Sequence, residues 1–387
     1  GVYLSVSSVS KNKQQRLLEL NWYNVPNDIW RDVHIYLLDQ DPSEVPWSLV
    51  ESHRVTGSSG TQKTSVAFPR LKWDKLTTGA CLRFWVALSN GPNRVPLASS
   101  CIRAQPRWMH EHCQKLGHLS FTQLFIPGTH NSGMYDVNPA GGVSVVDHFL
   151  LNQDEPIINQ LYYGIRFLDL RVQEKGGEFW ITHDLIRAQV TVREVLQQVR
   201  QFAEATGELV IVDFHRFTTG FGGNNNHKKL VALILQELGD LLIQRNATGA
   251  KLSDILGQCQ PASRGARRRR TVIVCYNNNY RQESRYLSHG VKHVWADAVD
   301  LKSLQSHLGT YISTSSSGVP FSSMVQMTSR FPKYLVSNRK LAQKVNFHAT
   351  GWFRDDWWRH SNIVAMDFFL GSDMVNVAID ANLRRTS

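Results

Sequence analysis

From Trp108 onward the chain alternates short apolar, strand-like runs with stretches of helical period, and this alternation limits the fold more than any other feature. Strands are expected at Phe121–Ile126, Ile165–Val172, Phe179–Thr182, Leu209–Phe214, Thr271–Tyr276, His293–Ala296 and Ile363–Phe368. Helices are expected at Pro156–Tyr163, Thr191–Ala205, His227–Arg245, Pro332–Phe347 and Asp373–Leu383. Thr191-Val-Arg-Glu194 has the Ser/Thr-x-x-Glu form of a capping box, which marks a helix start. In His227–Arg245, Leu230, Val231, Ile234, Leu235, Leu238, Leu241 and Leu242 recur at helical spacing and read as a core-facing stripe. Strand–helix alternation of this length suits a parallel sheet, either a (β/α)8 barrel or an open doubly wound sheet. An open nucleotide-binding sheet calls for a Gly-x-Gly-x-x-Gly turn or a Walker loop, and neither is present. His130, Arg171, His183, Asp213 and Asp367 instead fall at the C-terminal ends of several strands, where a barrel gathers its polar groups. An α/β fold is expected, with a (β/α)8 barrel over residues 110–387.

The first 105 residues read differently. Leu17–Trp22, Val33–Leu37, Thr64–Phe68 and Cys81–Ala87 are short, partly alternating runs separated by turn-rich breaks at 24–27, 39–42, 57–60 and 90–93. That spacing predicts a small antiparallel β-sandwich over residues 1–105. No reactive cluster stands out in it, so an accessory or targeting role is expected.

A hydrophobic content of 42% with 19% charged residues fits a globular protein, and no run of 18 apolar residues occurs. The formal charge of +11 favours an anionic partner: a phospholipid surface, a phosphorylated substrate or a nucleic acid. Part of the excess lies in Arg264 and Arg267–Arg270, a run that reads equally well as a solvated loop. Zinc-finger spacing and the basic–aromatic motif of RNA-binding sheets are both missing, so nucleic acid ranks last. The five cysteines form no CxxC pair and no metal-ligand spacing. The start at Gly1 and the sequon Asn246-Ala-Thr248 lean towards an extracellular protein, with cytoplasmic location as the alternative. For a secreted chain, bridges Cys81–Cys101 and Cys259–Cys275 are expected, with Cys113 left over.

Three segments carry the chemistry. His130 sits in Pro127-Gly-Thr-His-Asn-Ser-Gly133, and His183 in Ile181-Thr-His-Asp184. Between them lies Gly164-Ile-Arg-Phe-Leu-Asp-Leu-Arg171. Cleaving a phosphodiester with a neighbouring hydroxyl needs a base, an acid and a positive group for the charge that builds on phosphorus. Histidine suits both proton transfers because its pKa lies near working pH. Arginine offers a planar fork that matches two phosphate oxygens. Each histidine taken alone reads as readily as a hydrogen-bonded structural residue.

Taken in order, the three segments resemble the X region of phosphatidylinositol-specific phospholipases C, over roughly residues 110 to 385. The subgroup most similar is the X-domain-containing proteins that lack the PH, EF-hand, Y and C2 parts of the large signalling enzymes. The resemblance implies a distorted (β/α)8 barrel that cleaves phosphatidylinositol, or a glycosylphosphatidylinositol, to diacylglycerol and a cyclic inositol phosphate. It implies His130 as the general base on the inositol 2-hydroxyl and His183 as the general acid for the leaving group. Arg171 matches the phosphate-binding arginine of the small bacterial enzymes, and Asp367 the aspartate that orients the base. Calcium-dependent members carry an acidic metal ligand where Arg171 stands; an arginine there repels a cation, so no metal and no cofactor are expected. A weak calcium site on Asn131 and Asp169 is the disfavoured alternative.

Bacterial members have an aspartate where this chain has Asn131, which can hydrogen-bond His183 but has no charge to hold its proton. Slower turnover is the expected consequence. Asp213 and His215 fall near a late acidic ligand of the signalling enzymes; Asp213 is expected to order the site, and His215 to do so or to pack. Tyr276 and Trp295 are candidates for stacking on the inositol ring, or for core. The 217–223 loop and the 352–358 aromatic cluster are candidates for a lipid-facing rim. The expected partners are a phospholipid surface, where the protein is peripheral, and the phosphatidylinositol head group, met by a monomer. Two alternatives stand beside this reading. One is a glycerophosphodiesterase or sphingomyelinase-D-like barrel, which wants a Glu-x-Asp pair where this chain has Asp169-Leu-Arg171. The other is a catalytically weak lipid-binding module.

Overall fold

The computed structural model describes residues 1–9, 16–70, 79–137, 147–184, 186–247, 249–260, 269–315, 318–329 and 336–387. Two compact units are present: Gly1–Gln105 with Leu370–Asp373, and Pro106–Phe369 with Met374–Ser387.

The first unit holds β1 (Val2–Val6), β2 (Leu17–Trp22), β3 (His34–Leu38), β4 (Leu49–Arg54), β5 (Gly60–Ala67), β6 (Cys81–Ser89) and β7 (Ala98–Arg103). They form two antiparallel sheets, β1-β2-β5 and β4-β3-β6-β7. Leu18, Leu20, Ile35, Leu37 and Val86 are fully buried. The strands that the sequence pattern did not reveal, β1, β4 and β7, are all sheet edges. β4 and β7 carry Glu51, His53, Arg54, Ser99 and Ser100, the polar content that blunts an edge and hides its period. The Cys81–Cys101 disulfide joins β6 to β7.

The second unit holds β8 (Ile126–Thr129), β9 (Phe167–Lys175), β10 (Glu178–His183), β11 (Ile186–Thr191), β12 (Val210–Phe217), β13 (Val272–Tyr276), β14 (Leu287–His289), β15 (Lys292–Val294), β16 (Phe321–Val325) and β17 (Ile363–Met366). The order β14-β13-β12-β9-β8-β17-β16-β15 is parallel throughout, and β10 and β11 form an antiparallel hairpin against β9. The first and last strands of this order in sequence, β8 and β17, pair directly, from Ile363 with Ile126 to Met366 with Thr129. This pairing curls the sheet into a distorted barrel. β14 and β15 are halves of one run: the first pairs with β13 and the second with β16. Gly290 separates them, and a Cβ there would lie 3.0 Å from the Asn277 Cα, so the switch needs a glycine.

The long helices are Val192–Thr206, Asn224–Leu238, Leu301–Thr314, Asn338–Gly351 and Met374–Arg385. The capping box is formed: Glu194 N donates to Thr191 Oγ1 at 3.2 Å, and Thr191 N donates to the Glu194 carboxylate at 2.7 Å. Leu301–Thr314 escaped the sequence reading because only Leu304, Leu308 and Ile312 are buried, a narrow stripe among polar residues. Expected strand Phe121–Ile126 begins only at Ile126. Asn362 Nδ2 donates to the Phe121 and Leu124 carbonyls, and the preceding residues turn instead of extending.

Below the sheet a buried ion pair ties the entry to β9 to the entry to β12. Arg166 and Glu208 are both 0% exposed. The guanidinium donates to Glu208 Oε2 at 2.9 and 3.2 Å and to the carbonyls of Leu161, Ile165 and Pro106. Glu208 also accepts from the Met109 and His110 amides and from His110 Nδ1 at 2.7 Å. Every charge in this knot has hydrogen-bond partners, the condition under which a buried pair is tolerated.

The second disulfide corrects the expected pairing: Cys113 bonds Cys259, and Cys275 is a buried free thiol. Cys275 points from β13 into the core cluster that includes Ile211 and Ile273. Cys259 follows the short Leu252–Ile255 helix and meets Cys113 with a Cα separation of 5.5 Å. Of the basic run, Arg264, Arg267 and Arg268 lie outside the described residues, as do Thr248 of the sequon and the start of the expected Pro332–Phe347 helix. Arg269 and Arg270 are tied to backbone carbonyls of Leu256, Gln260, Gly239 and Leu242, a structural use of their charge. Glu208→Ala strands the Arg166 charge in the core. Urea unfolding is expected to show a loss of about 3–5 kcal/mol for that variant.

Candidate active site

His130 leaves β8 at the end that meets β17, and its amide donates to the Met366 carbonyl at 3.0 Å. The turn it opens presses on the strand that carries His183. A Cβ at Gly133 would lie 2.7 Å from Ile181 Cγ1, so this glycine allows the approach. Arg171 and Asp169 stand two residues apart on β9, which points both to the same side of the sheet. Asp367 follows β17, and Asp213 lies on β12 in register with Asp169.

His130, Arg171, His183, His215, Trp295 and Asp367 line one cavity of about 700 Å3. Asn131, Asp169 and Asp213 are buried and do not line it. The rings of His130 and His183 lie edge to face, 6.5 Å between centroids. Trp295, 39% exposed, stands 5.7 Å from the His130 ring.

The hydrogen bonds assign the His130 tautomer. Asp367 Oδ1 accepts from His130 Nδ1 at 2.7 Å and from Asn152 Nδ2 at 2.9 Å. On the far side of the ring, Arg171 NH2 lies 2.9 Å from Nε2, and an arginine can only donate. His130 is therefore a neutral imidazole with its proton on Nδ1 and a lone pair on Nε2. His183 Nδ1 donates to the Leu150 carbonyl at 3.3 Å, which leaves its Nε2 as the atom able to exchange a proton.

Three expectations are corrected and one is narrowed. Tyr276 is fully buried on the helix side of β13; its hydroxyl shares a 2.7 Å hydrogen bond with His227 Nδ1 and it cannot stack on a ligand in the cavity. Asn131 does not bond His183: its left-handed backbone (φ +43°) aims Nδ2 at Asn152 Oδ1, 3.2 Å away. Phe217 and Phe221 are half-buried, 5.1 Å apart, and pack one side of their rings against Tyr276 and Phe179 respectively, which leaves only part of each ring to face a rim. The Trp352–Trp358 cluster follows the C-terminal end of the Asn338–Gly351 helix, whose first residue lines the cavity. Fourteen helical residues carry it about 20 Å away, to the end of the barrel where β17 begins.

His215 packs face to face on His293, with centroids 3.4 Å apart and planes within 4°. Asp213 Oδ2 accepts from His293 Nε2 at 2.9 Å and lies 3.6 Å from His215 Nδ1. These three residues bring possible metal ligands within 4.8 Å of one another. Parallel rings, however, send their lone pairs along parallel planes, whereas a bound ion needs them to converge. Asn131 Oδ1 and Asp169 Oδ1 are buried oxygens without hydrogen-bond partners, but the Arg171 guanidinium lies 3.5 Å from Asp169 and already supplies the cationic charge there. Asn152, Gln153 and His293 carry no signature in the sequence. No motif surrounds them, and their roles arise only from contacts with distant residues.

Burial, with the Arg171 charge second, pushes the His130 imidazole well below its usual pKa. Burial also pushes the Asp367 carboxyl up to about 7, although Asn152, His183 and Arg171 pull it down. Asp169 behaves in the opposite way. Burial opposes its ionisation, yet Arg171 and the surrounding histidines outweigh that and hold it at about 2. A carboxyl raised in the folded state loses stabilising power as pH climbs from 3.8 through about 7. Asp367→Asn keeps an acceptor for His130 and removes this cost. Its unfolding free energy in urea is expected to exceed that of the native chain above pH 7 by roughly 1–4 kcal/mol, a difference that disappears below pH 4.

Residues 148–257 match the family model described as phosphatidylinositol-specific phospholipase C, X domain. PI-PLC X domain-containing protein 3 of Danio rerio is 32% identical over 161 residues, 35% of this chain and 48% of that protein. This match thus spans about half the length of that relative. PI-PLC X domain-containing protein 1 of Homo sapiens is 24% identical over 330 residues, 77% of this chain and 97% of its own length. Among solved structures, a mutant phosphatidylinositol-specific phospholipase C from Staphylococcus aureus superposes with a TM-score of 0.55 at 14% identity, covering 71% of this chain and 97% of that one, a likeness of fold. The matched model and the two relatives agree in kind: residues 148–257 of this chain match a phosphatidylinositol-specific phospholipase C X domain, and the barrel that carries them has the fold of such enzymes.

Proposed function

We propose that this protein is a metal-independent phosphodiesterase of the phospholipase C type, acting on phosphatidylinositol or a glycosylphosphatidylinositol. One observation carries the reading: a neutral histidine whose Nε2 lone pair is held by an arginine and a second histidine border one cavity, 6.5 Å apart. That gap fits a phosphoryl group between a base and an acid.

His130 Nε2 takes the proton of the inositol 2-hydroxyl, and the freed oxygen attacks phosphorus. His183, protonated, passes its Nε2 proton to the glycerol oxygen as the phosphorus–oxygen bond breaks. The products are diacylglycerol and a cyclic inositol phosphate; one proton has moved onto His130 and one off His183. Arg171 leaves Nε2 as the hydroxyl arrives and turns its fork to the phosphate, where charge builds. Its Nε is buried without a hydrogen-bond partner, a donor held for such a use. Asp367 keeps the His130 proton on Nδ1 and stabilises the imidazolium that forms. Trp295 offers a ring face to the inositol beside the base. All of these groups come from one chain, so a monomer suffices.

The same reading places the protein outside the cell, peripheral to a phospholipid surface. Two disulfides favour an oxidising compartment. The charge of +11 favours an anionic lipid face. Among the described residues, no helix is long and apolar enough to cross a membrane.

Incubation with phosphatidylinositol is expected to give a cyclic inositol phosphate by phosphorus NMR, at the same rate with and without a chelator. His130→Ala and His183→Ala should each lower the rate by roughly 100-fold or more. Unchanged hydrolysis in both variants would sink the mechanism. Release of choline or glycerol phosphate that stops on adding chelator would favour the glycerophosphodiesterase or sphingomyelinase-D reading instead.

A further inference from the structure

We infer that the segment Phe149–Asp154 is a strap that sets the orientation of both histidines, with Asn152 as its positioning residue. The inference rests on the roles proposed above for His130 and His183.

Three residues within one run of four touch the machinery. The Leu150 carbonyl accepts from His183 Nδ1 at 3.3 Å. The Asn152 amide donates to Asp367 Oδ1 at 2.9 Å while its own oxygen accepts from Asn131 Nδ2 at 3.2 Å. Gln153 Nε2 donates to the carbonyls of His130 and Met366 at 2.9 and 2.8 Å, and so clamps the backbone on both sides of the β8–β17 seam. Between them, Leu151 is buried against Ala342 and Phe368. Asn152 and Gln153 are themselves buried.

The strap is fixed from outside as well. Asn338 Nδ2 donates to the carbonyls of Phe149 and Leu151 at 2.8 and 3.3 Å. Arg339 pairs with Asp154 at 3.0 Å. The backbone amides of Asn152 and Gln153 donate to the Met134 carbonyl, and the Phe368 amide to the Asn152 carbonyl. A segment held at both ends and in the middle can transmit position, since moving it by a fraction of an ångström breaks several hydrogen bonds together.

The arrangement also explains how the site works with Asn131 in place of an acid. His183 is oriented by a backbone carbonyl, which has no formal charge. Asn131 is released from that task and anchors Asn152. An amide is the side chain that Asn152 needs: it must donate to a carboxylate and accept from another amide at once, which neither aspartate nor leucine can do. Its N–H favours the ionised form of Asp367, the form that accepts the His130 proton.

The test uses Asn152→Ala and the isosteric Asn152→Asp, followed by the pH profile of phosphatidylinositol cleavage and by nitrogen NMR of the His130 ring. The charged and titratable groups around the His130–Asp367 pair are Arg171 and Asp169 from β9, His183 from β10 and His293 from β15. None is altered in either variant. Removing the Asn152 N–H lets the pair take up a proton at higher pH, so the acid limb of the profile should move upward in both variants. The shift should be larger for Asn152→Asp, which adds a negative charge. The rate constant kcat should fall roughly 10- to 100-fold with KM within about threefold, as expected when a group is displaced and not removed. A native-like acid limb and an unshifted His130 titration in the folded Asn152→Asp protein overturn the strap. If the native chain releases no cyclic phosphate, the substrate reading fails, and the strap is judged by the His130 titration alone: a shift supports it, no shift overturns it.

Discussion

The hydrogen bond from His130 Nδ1 to Asp367 Oδ1 joins residues 237 positions apart, and it exists only because the barrel closes. β8 and β17 pair in parallel, so the residues just past their ends, His130 and Asp367, come to lie side by side. Closure also buries the pair. In water an imidazole and a carboxylate would titrate separately; here burial disfavours both ions, lowering one pKa and raising the other. The result is a neutral ring with its lone pair on the cavity side, set by the fold before any ligand arrives.

Charge in the barrel is divided between two arginines of one short segment. Arg166, just before β9, is spent on Glu208 and backbone carbonyls at the strand entry, where it is sealed from solvent. Arg171, five residues on, stands beside His130 and Asp169 with an unpartnered Nε. One arginine holds the entries of two strands together, and the other is poised for chemistry. Their sequence context is the same; their surroundings along the strand axis differ.

Aromatic residues show how far a local pattern misleads. Phe217, Phe221 and the 352–358 cluster have the look of a lipid-facing rim. Yet Phe217 and Phe221 are half-buried against neighbouring rings, and the tryptophans sit at the far end of a helix that begins at the cavity. Trp295 keeps an exposed face beside His130, whereas Tyr276, on β13, is sealed by the His227 helix. Strand parity decides such cases: alternate residues face opposite sides, and a one-residue difference moves a ring from cavity to core.

The alternation of strands and helices, the capping box at Thr191, and the two histidine turns with the arginine segment between them were legible in the sequence, because local period and local chemistry carry them. Edge strands β4 and β7 and the helix at Leu301–Thr314 were not, since polar residues mask their period. Nor was the Cys113–Cys259 bridge, because spacing along a chain does not reveal which thiols meet. Asn152 and Gln153 were illegible for the same reason: an amide has no signature until distant groups are brought to it. The sequence by itself determined which reactive groups the chain carries and which strand ends present them. Only the tertiary structure decided their protonation, their partners and which side of the sheet each faces, because those depend on burial and on contacts between residues hundreds of positions apart.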